Sequence, residues 1–227
     1  MIGVRFLLIF SLFFCSFRLY TEENQKQKIV WRFDFTANGA AAKFAKEWSL
    51  EKKFMTKPAT FFVKKEKGKS FLEMEADCAT ASIVCNPKGF KVVDAPIIRW
   101  CWKVTCLPNG ADGRFPEKDD QAIGIYVGSG SYFSKKSISY RWDTETPVGD
   151  KGNCAYGAGT IKVKWFTLRN KNDKLNEWII EERNWLDDYK EAWGEVPDSI
   201  YLSISCNSQY TATKALASLM WIEFLSK

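Results

Sequence analysis

Between residues 29 and 224 the chain alternates short strand-like runs with turn residues, and it leaves almost no room for helices between them. Period-two or fully apolar runs fall at residues 29–35, 60–64, 70–75, 97–105, 122–127, 137–142, 160–168, 178–182, 199–205 and 219–224. Such runs bury one face or both against a second sheet. Turn chemistry separates them at Lys67-Gly68, Asn86-Pro87, Pro108-Asn109-Gly110, residues 149–152 and residues 170–173. About ten strands without alternating helices predict an all-β jelly-roll sandwich rather than an α/β fold. No repeat, low-complexity tract or Pro/Gly-rich linker interrupts residues 29–227, which read as a single β-sandwich domain.

One helix is signalled at residues 185–193. Asn184 is placed to cap it, Asp187 sits in its first turn, and Gly194 with Pro197 just beyond ends it. Trp185, Tyr189 and Trp193 recur every four residues and give it one aromatic, core-facing side. A weaker helical pattern covers residues 40–48. Aromatic residues make up 15% of the chain, with 10 Trp, so most of them are expected to fill the sandwich core.

The N-terminus predicts export. Arg5 precedes an apolar run from Phe6 to Phe17, and a polar stretch follows. That layout describes a signal peptide or N-terminal anchor over residues 1–20, with a polar linker at 21–28. The run is too short for a comfortable membrane span, which takes about 20 residues. Cys15 stands in a degraded lipoprotein-like box with Phe14 where a small residue belongs. The expected location is therefore periplasmic or extracellular, with membrane contact only through this segment. In an oxidising compartment the six further cysteines, Cys78, Cys85, Cys101, Cys106, Cys154 and Cys206, are expected to form disulfides of undetermined pairing.

Composition narrows the chemistry. The sequence contains no His, which removes Ser-His-Asp and Cys-His nucleophiles, His bases and His-ligated zinc. The net charge of +6 comes from basic residues scattered among acids, so no nucleic-acid partner is implied.

Three constellations could carry function. In the loop at residues 109–120, Asp112, Asp119 and Asp120 are candidate oxygen ligands for a structural Ca²⁺, and no other cofactor is implied. Salt bridges to the interleaved Arg114 and Lys118 are the competing reading. In the second set, Glu181, Glu182, Asp187 and Asp188 flank Arg183 and Asn184. Carboxylate pairs are what glycoside hydrolysis needs, although capping explains these acids more simply. The third is Tyr140-Arg141-Trp142-Asp143, where alternation puts the two aromatics on one face and Arg141 with Asp143 on the other. With Arg183, this set is a candidate saccharide contact. An inward aromatic pair with an outward ion pair fits it equally.

Asp119 shares strand parity with Ile123, Ile125 and Val127, which would draw it inward at the sheet's rim. A carboxylate there needs a partner, so Asp119 or Asp120 is expected to pair with Arg99, Arg141 or Arg183 as a structural link.

Several ordered strings also resemble one known family. They are Pro96-x-x-Arg99-Trp100-Cys101-Trp102-Lys103-Val104, Leu107-Pro108 with Gly110-Ala111-Asp112, and Lys118-Asp119-Asp120-Gln121-Ala122. Ile138-Ser139-Tyr140-Arg141-Trp142 follows, then Glu182-Arg183-Asn184-Trp185-Leu186-x-Asp188-Tyr189, Gly194-x-x-Pro197 and Trp221-Ile222-Glu223-Phe224. Together they resemble the bacterial domain of unknown function 3047 family over roughly residues 30–225. The resemblance implies an exported, galactose-binding-like jelly roll and carries no established activity. The similar first and last strands, 31–35 and 220–224, are expected to lie together. The reading that follows is a non-catalytic envelope domain binding a carbohydrate or cell-wall glycan. Its alternatives are a polysaccharide-cleaving enzyme using carboxylate, Tyr and Arg groups, and a structural interaction module of an envelope assembly.

Overall fold

In the computed structural model, which describes residues 27–131 and 134–227, one long strand organises a whole sheet. This strand, β13 (Lys214–Leu225), carries β6 (Ile97–Cys106) along one edge. Its other edge is shared. β4 (Lys69–Asp77) pairs with Lys214 to Leu219, and β1 (Ile29–Asp34) pairs with Trp221 to Leu225. The similar first and last strands therefore do lie side by side. β11 (Ile179–Asn184) extends the sheet beyond β6, and β3 (Thr60–Glu66) extends it beyond β4.

The second sheet has seven strands. In spatial order they are β2 (Ser49–Lys52), β5 (Thr80–Cys85), β12 (Tyr201–Asn207), β7 (Gln121–Ser131), β8 (Ser134–Trp142), β10 (Ile161–Arg169) and β9 (Lys151–Tyr156). Among the described residues, only the β8–β10 pair of this sheet is parallel. The architecture is the expected all-β sandwich, with thirteen strands in place of about ten.

Alternation decides which side chains enter the core. From β6, Trp100, Trp102 and Val104 point between the sheets; from β8, Ile138, Tyr140 and Trp142 meet them. Trp100 stacks on Tyr140 with ring centroids 5.3 Å apart, and Trp102 meets Trp142 at 5.5 Å. Each such pair contributes about 0.5–1.5 kcal/mol beyond the area it buries. These two contacts lock the sheets face to face.

The helix over residues 185–193 forms as its caps predict. In α2 (Trp185–Trp193), Asn184 accepts from the Asp187 N–H at 3.2 Å, and Gly194 closes the C-terminus at φ 71. Trp185 and Tyr189 are buried, and Trp185 donates to the Ala95 carbonyl at 2.7 Å. α2 packs on β6 and β8, one strand from each sheet. The first helix, α1 (Ala40–Glu47), leads into β2.

Two expectations fare differently. The signal segment at residues 1–20, and the linker up to residue 26, lie outside the described residues. Among the described residues, no helix is long and apolar enough to cross a membrane. The disulfide expectation needs correction, because all six cysteines between residues 78 and 206 are free. Cys101 and Cys106 sit five positions apart on one strand, so they face opposite ways about 16 Å apart. Cys85 and Cys206 lie on neighbouring strands, but they face Leu202 and Ala81 respectively, four positions out of register. Cys154 is on the far edge strand of that sheet, and Cys78 is exposed in a turn at φ 49. A disulfide needs Cα atoms within about 7 Å, which neither Cys101–Cys106 nor Cys85–Cys206 offers.

Candidate functional site

The face of the seven-stranded sheet turned away from the core is built from small and polar residues. β7 places Ile123, Ile125 and Val127 inward, which leaves Gly124, Tyr126 and Gly128 outward. β12 places Leu202, Ile204 and Cys206 inward and Tyr201, Ser203, Ser205 and Asn207 outward. The glycines are there for the aromatic rings. A Cβ on Gly128 would come within 2.3 Å of Tyr201 Cζ, and one on Gly152 within 2.2 Å of Trp165 Cζ2. A Cβ on Gly124 would meet the Tyr126 ring at 2.8 Å and Ser205 Oγ at 3.1 Å. Tyr126, Tyr201 and Trp165 thus settle onto backbone that no larger residue could occupy.

Over this face lies a cleft of about 350 Å³. Its floor includes Tyr126, Tyr156, Tyr201, Ser137, Ser203 and Ser205, and Lys52, Lys53, Lys135 and Tyr210 stand around it. Lys53 Nζ reaches the Tyr210 hydroxyl at 3.1 Å and lies 4.6 Å from that ring's centre. Lys135 lies over Tyr201 at 5.4 Å and 3.7 Å from Glu51.

One end of the cleft runs into a buried polar network. Arg141 is fully buried and donates from Nη1 to Asp119 Oδ1 at 2.6 Å. Its Nη2 reaches the Tyr156 hydroxyl at 3.2 Å and Cys154 Sγ at 3.5 Å. Tyr156 in turn donates to Asp119 Oδ2 at 2.5 Å. Beside this group, Gln121 Nε2 donates to the Tyr126 hydroxyl at 2.9 Å and to Ser205 Oγ at 3.0 Å. Arg141 also lies 5.6 Å from the centre of the Trp165 ring.

The electrostatics follow from burial. Loss of solvent pushes the Tyr126 and Tyr156 phenols upward, so both stay protonated and can donate. It also raises the Cys154 thiol, although Arg141 opposes it. Asp143, fully buried next to Arg141, is pushed up to about 6 by desolvation, with Arg141 pulling the other way. Its Oδ1 has no hydrogen-bond partner, and Thr167 reaches its Oδ2 at 3.4 Å.

The residues singled out in the sequence divide between three places. Tyr140 and Trp142 are fully buried in the core, so they form no open platform; alternation turned the large rings toward the other sheet. Tyr140 donates to Asp188 at 2.6 Å, and Arg183 grips the same carboxylate at 2.9–3.1 Å. Arg183 therefore belongs to this inter-sheet link, away from the cleft. Arg99 pairs with the fully buried Glu223 at 2.6 Å, where Arg32 also arrives. Arg141 and Asp143 lie on the cleft side of the sheet, beneath its floor, and Asp119 lines the cleft itself.

The metal expectation is also corrected. Asp112 is held by Arg114 at 2.7 Å, Asp119 by Arg141, and Asp120 accepts from Thr211 N at 2.8 Å. Among the described residues, no three Asp, Glu or Cys side chains converge to hold an ion. The acids near α2 are likewise engaged: Glu181 with Arg169, Glu182 with Arg99, Asp188 with Arg183.

Sequence reasoning missed Gln121, Tyr126, Tyr156, Tyr201 and Tyr210. A signal existed: in residues 121–128 and 201–207 the positions alternating with the apolar ones carry Ala, Gly, Tyr, Ser and Asn with no charge. A plain solvent face would be richer in Lys and Glu.

The comparisons bear on the whole domain. Solved structures similar to this chain include a xyloglucanase domain of NopAA from Sinorhizobium fredii, 10% identical with a TM-score of 0.49 over 80% of this chain and 95% of that one. A family 11 carbohydrate-binding module of Clostridium thermocellum Lic26A-Cel5E is 10% identical, with a TM-score of 0.47 over 89% and 95%. Trichoderma harzianum endoglucanase 3, of family GH12, is 9% identical, with a TM-score of 0.39 over 91% and 99%. Among curated proteins none matches the sequence. Residues 46–223 match the family described as protein of unknown function, DUF3047. The chain belongs to the DUF3047 family.

Proposed function

We propose that this protein is a non-catalytic, exported domain that binds a saccharide of the cell envelope in the cleft of its seven-stranded sheet. One observation carries the reading: the cleft floor joins tyrosine rings to neutral hydroxyl and amide groups. A sugar offers apolar C–H faces and a rim of hydroxyls, and such a floor matches both. The buried Tyr126 phenol stays protonated and can donate, whereas the Tyr156 hydroxyl gives its one hydrogen to Asp119. The charges at the deep end are already matched, Asp119 with Arg141, so they call for no ionic ligand.

Binding is favoured over hydrolysis. Hydrolysis takes two carboxylates flanking the scissile bond. The cleft is lined by two acids: Asp119, whose oxygens are occupied by Arg141 and Tyr156, and the exposed Glu51 near Lys135. A second reading, cleavage of the glycan, draws on the same Asp119–Tyr156–Arg141 contact. Incubation with polysaccharides and analysis for shortened products tests it.

The primary experiment is a glycan array probed with the full chain and with Tyr201→Ala and Tyr210→Ala. Binding of a defined saccharide class, weakened in both variants, is expected. Equal binding by all three proteins would place the ligand elsewhere. Export rests on the N-terminal layout of residues 1–28, and recovery of the intact chain as soluble cytosolic protein contradicts it.

A further inference from the structure

Between β2 and β3 the chain turns at residues 53–56, and the side chains at its tip are anomalous. Phe54 and Met55 are each 88% exposed, whereas no other large apolar side chain among the described residues exceeds 59%. The turn is closed by the Thr56 N–H and hydroxyl, both donating to the Lys53 carbonyl at 3.3 and 2.8 Å. Met55 occupies it at φ 56. That left-handed conformation favours Gly or Asn and strains a bulky residue. A large apolar side chain is thus held in a conformation that resists it while contributing nothing to the core. Strain retained without a folding benefit points to use outside the fold.

The surroundings indicate the use. Lys52, Lys53 and Lys57 flank the two apolar residues in the sequence. Tyr210, 42% exposed, stands against Lys53 with its hydroxyl 3.1 Å from Nζ. An apolar tip with lysines beside it in the sequence, of which Lys57 lies 3.9 Å from Asp77, and a tyrosine against Lys53 make a composition that suits a bilayer interface. The apolar groups enter the acyl boundary, the cations meet anionic headgroups, and the phenol stays at the headgroup level.

We infer that the turn at residues 53–56 is a membrane-contact site that inserts Phe54 and Met55 into the surface of an anionic bilayer. This contact is separate from the N-terminal segment. Because Lys52 and Lys53 also line the cleft, docking sets the cleft mouth beside the membrane surface.

The test uses the full chain with Phe54→Trp as reporter, mixed with phosphatidylglycerol vesicles whose acyl chains are brominated. Bromine quenches only tryptophans that enter the bilayer. Quenching beyond that of the unsubstituted chain, weakened by added salt, is expected. Emission that falls no further than in the unsubstituted chain overturns the inference, even if the protein is held to the vesicle by its N-terminus. Adding Lys52→Glu and Lys53→Glu to the reporter should raise the lipid concentration for half-maximal quenching at least about tenfold, since each lysine contributes on the order of 1 kcal/mol near such a surface. An unchanged midpoint overturns the assignment to anionic lipid.

Discussion

Arg141 Nη1 meets Asp119 Oδ1 at 2.6 Å, the guanidinium fully buried and the carboxylate nearly so. The contact ties β8 to the loop entering β7, and through Tyr156 it reaches β9. Asp119 does not share the inward face of Ile123 and Ile125, as strand parity from the sequence suggests. The turn at residues 116–120 breaks the alternation, with Asp119 at φ −75 and ψ 61, and delivers the carboxylate to the outer face.

Removing this carboxylate leaves a buried guanidinium without its countercharge. Asp119→Ala should lower stability by about 3–5 kcal/mol, read as a reduced urea midpoint. Asp120→Ala removes an acceptor for the Thr211 N–H and hydroxyl but strands no buried cation, and its cost should be smaller, about 1–3 kcal/mol. Equal, near-zero effects would show that neither acid holds the sheet to its loops.

Asp143 makes a prediction about pH. Its carboxyl is raised from 3.8 in the unfolded chain to about 6 in the fold, chiefly by burial. The folded state therefore holds the proton more tightly, so this group costs stability as pH rises from about 4 to 6 and costs it fully above. Asp143→Asn keeps the shape without the charge. It should be more stable than wild type at pH 7, by on the order of 2–3 kcal/mol, with the gain gone by pH 4. Thermal denaturation across that range checks the sign.

Much of the fold was legible because alternation and capping are local signals. The helix at residues 185–193 could be read from Asn184 and Gly194, and the pairing of first and last strands from their similarity. Three strands escaped notice for physical reasons. β2 is an edge strand with every residue exposed, so it has no apolar alternation. β5 is rich in small residues, and β9 carries Gly152, which reads as a turn residue until the Trp165 ring above it is seen. The site was half legible. Residues 140–143 marked the right strand and the correct division of its faces, but not which face met the other sheet. The floor tyrosines of the cleft come from β7, β9 and β12, with Tyr210 added from the turn after β12, and only sheet order brings the three strands together.

The glycines beneath those rings provide a separate handle. Gly128→Ala puts a methyl group 2.3 Å from Tyr201 Cζ and must displace that ring. Saccharide affinity should drop about tenfold or more, while stability falls by only about 1–3 kcal/mol. Calorimetric titration beside a melting curve separates the two effects.

The thiols should be both countable and graded in reactivity. Denatured without reductant, all six cysteines between residues 78 and 206 should alkylate, as identified by peptide mass. In the native state Cys78 should react first, because it is exposed. Cys101 should lag, its thiol pushed up to about 11 by burial, as should Cys85 and Cys206, raised further by the same cause.

Occupancy of the outer face of the seven-stranded sheet by a saccharide can be read residue by residue from backbone amide chemical shifts recorded during titration with an array-selected oligosaccharide. Saturable changes are expected at Tyr126, Gly128, Tyr156, Tyr201, Ser203 and Ser205, with the six-stranded sheet unmoved. Changes gathered on the outer face of that other sheet, around Arg99 and Glu223, would contradict it.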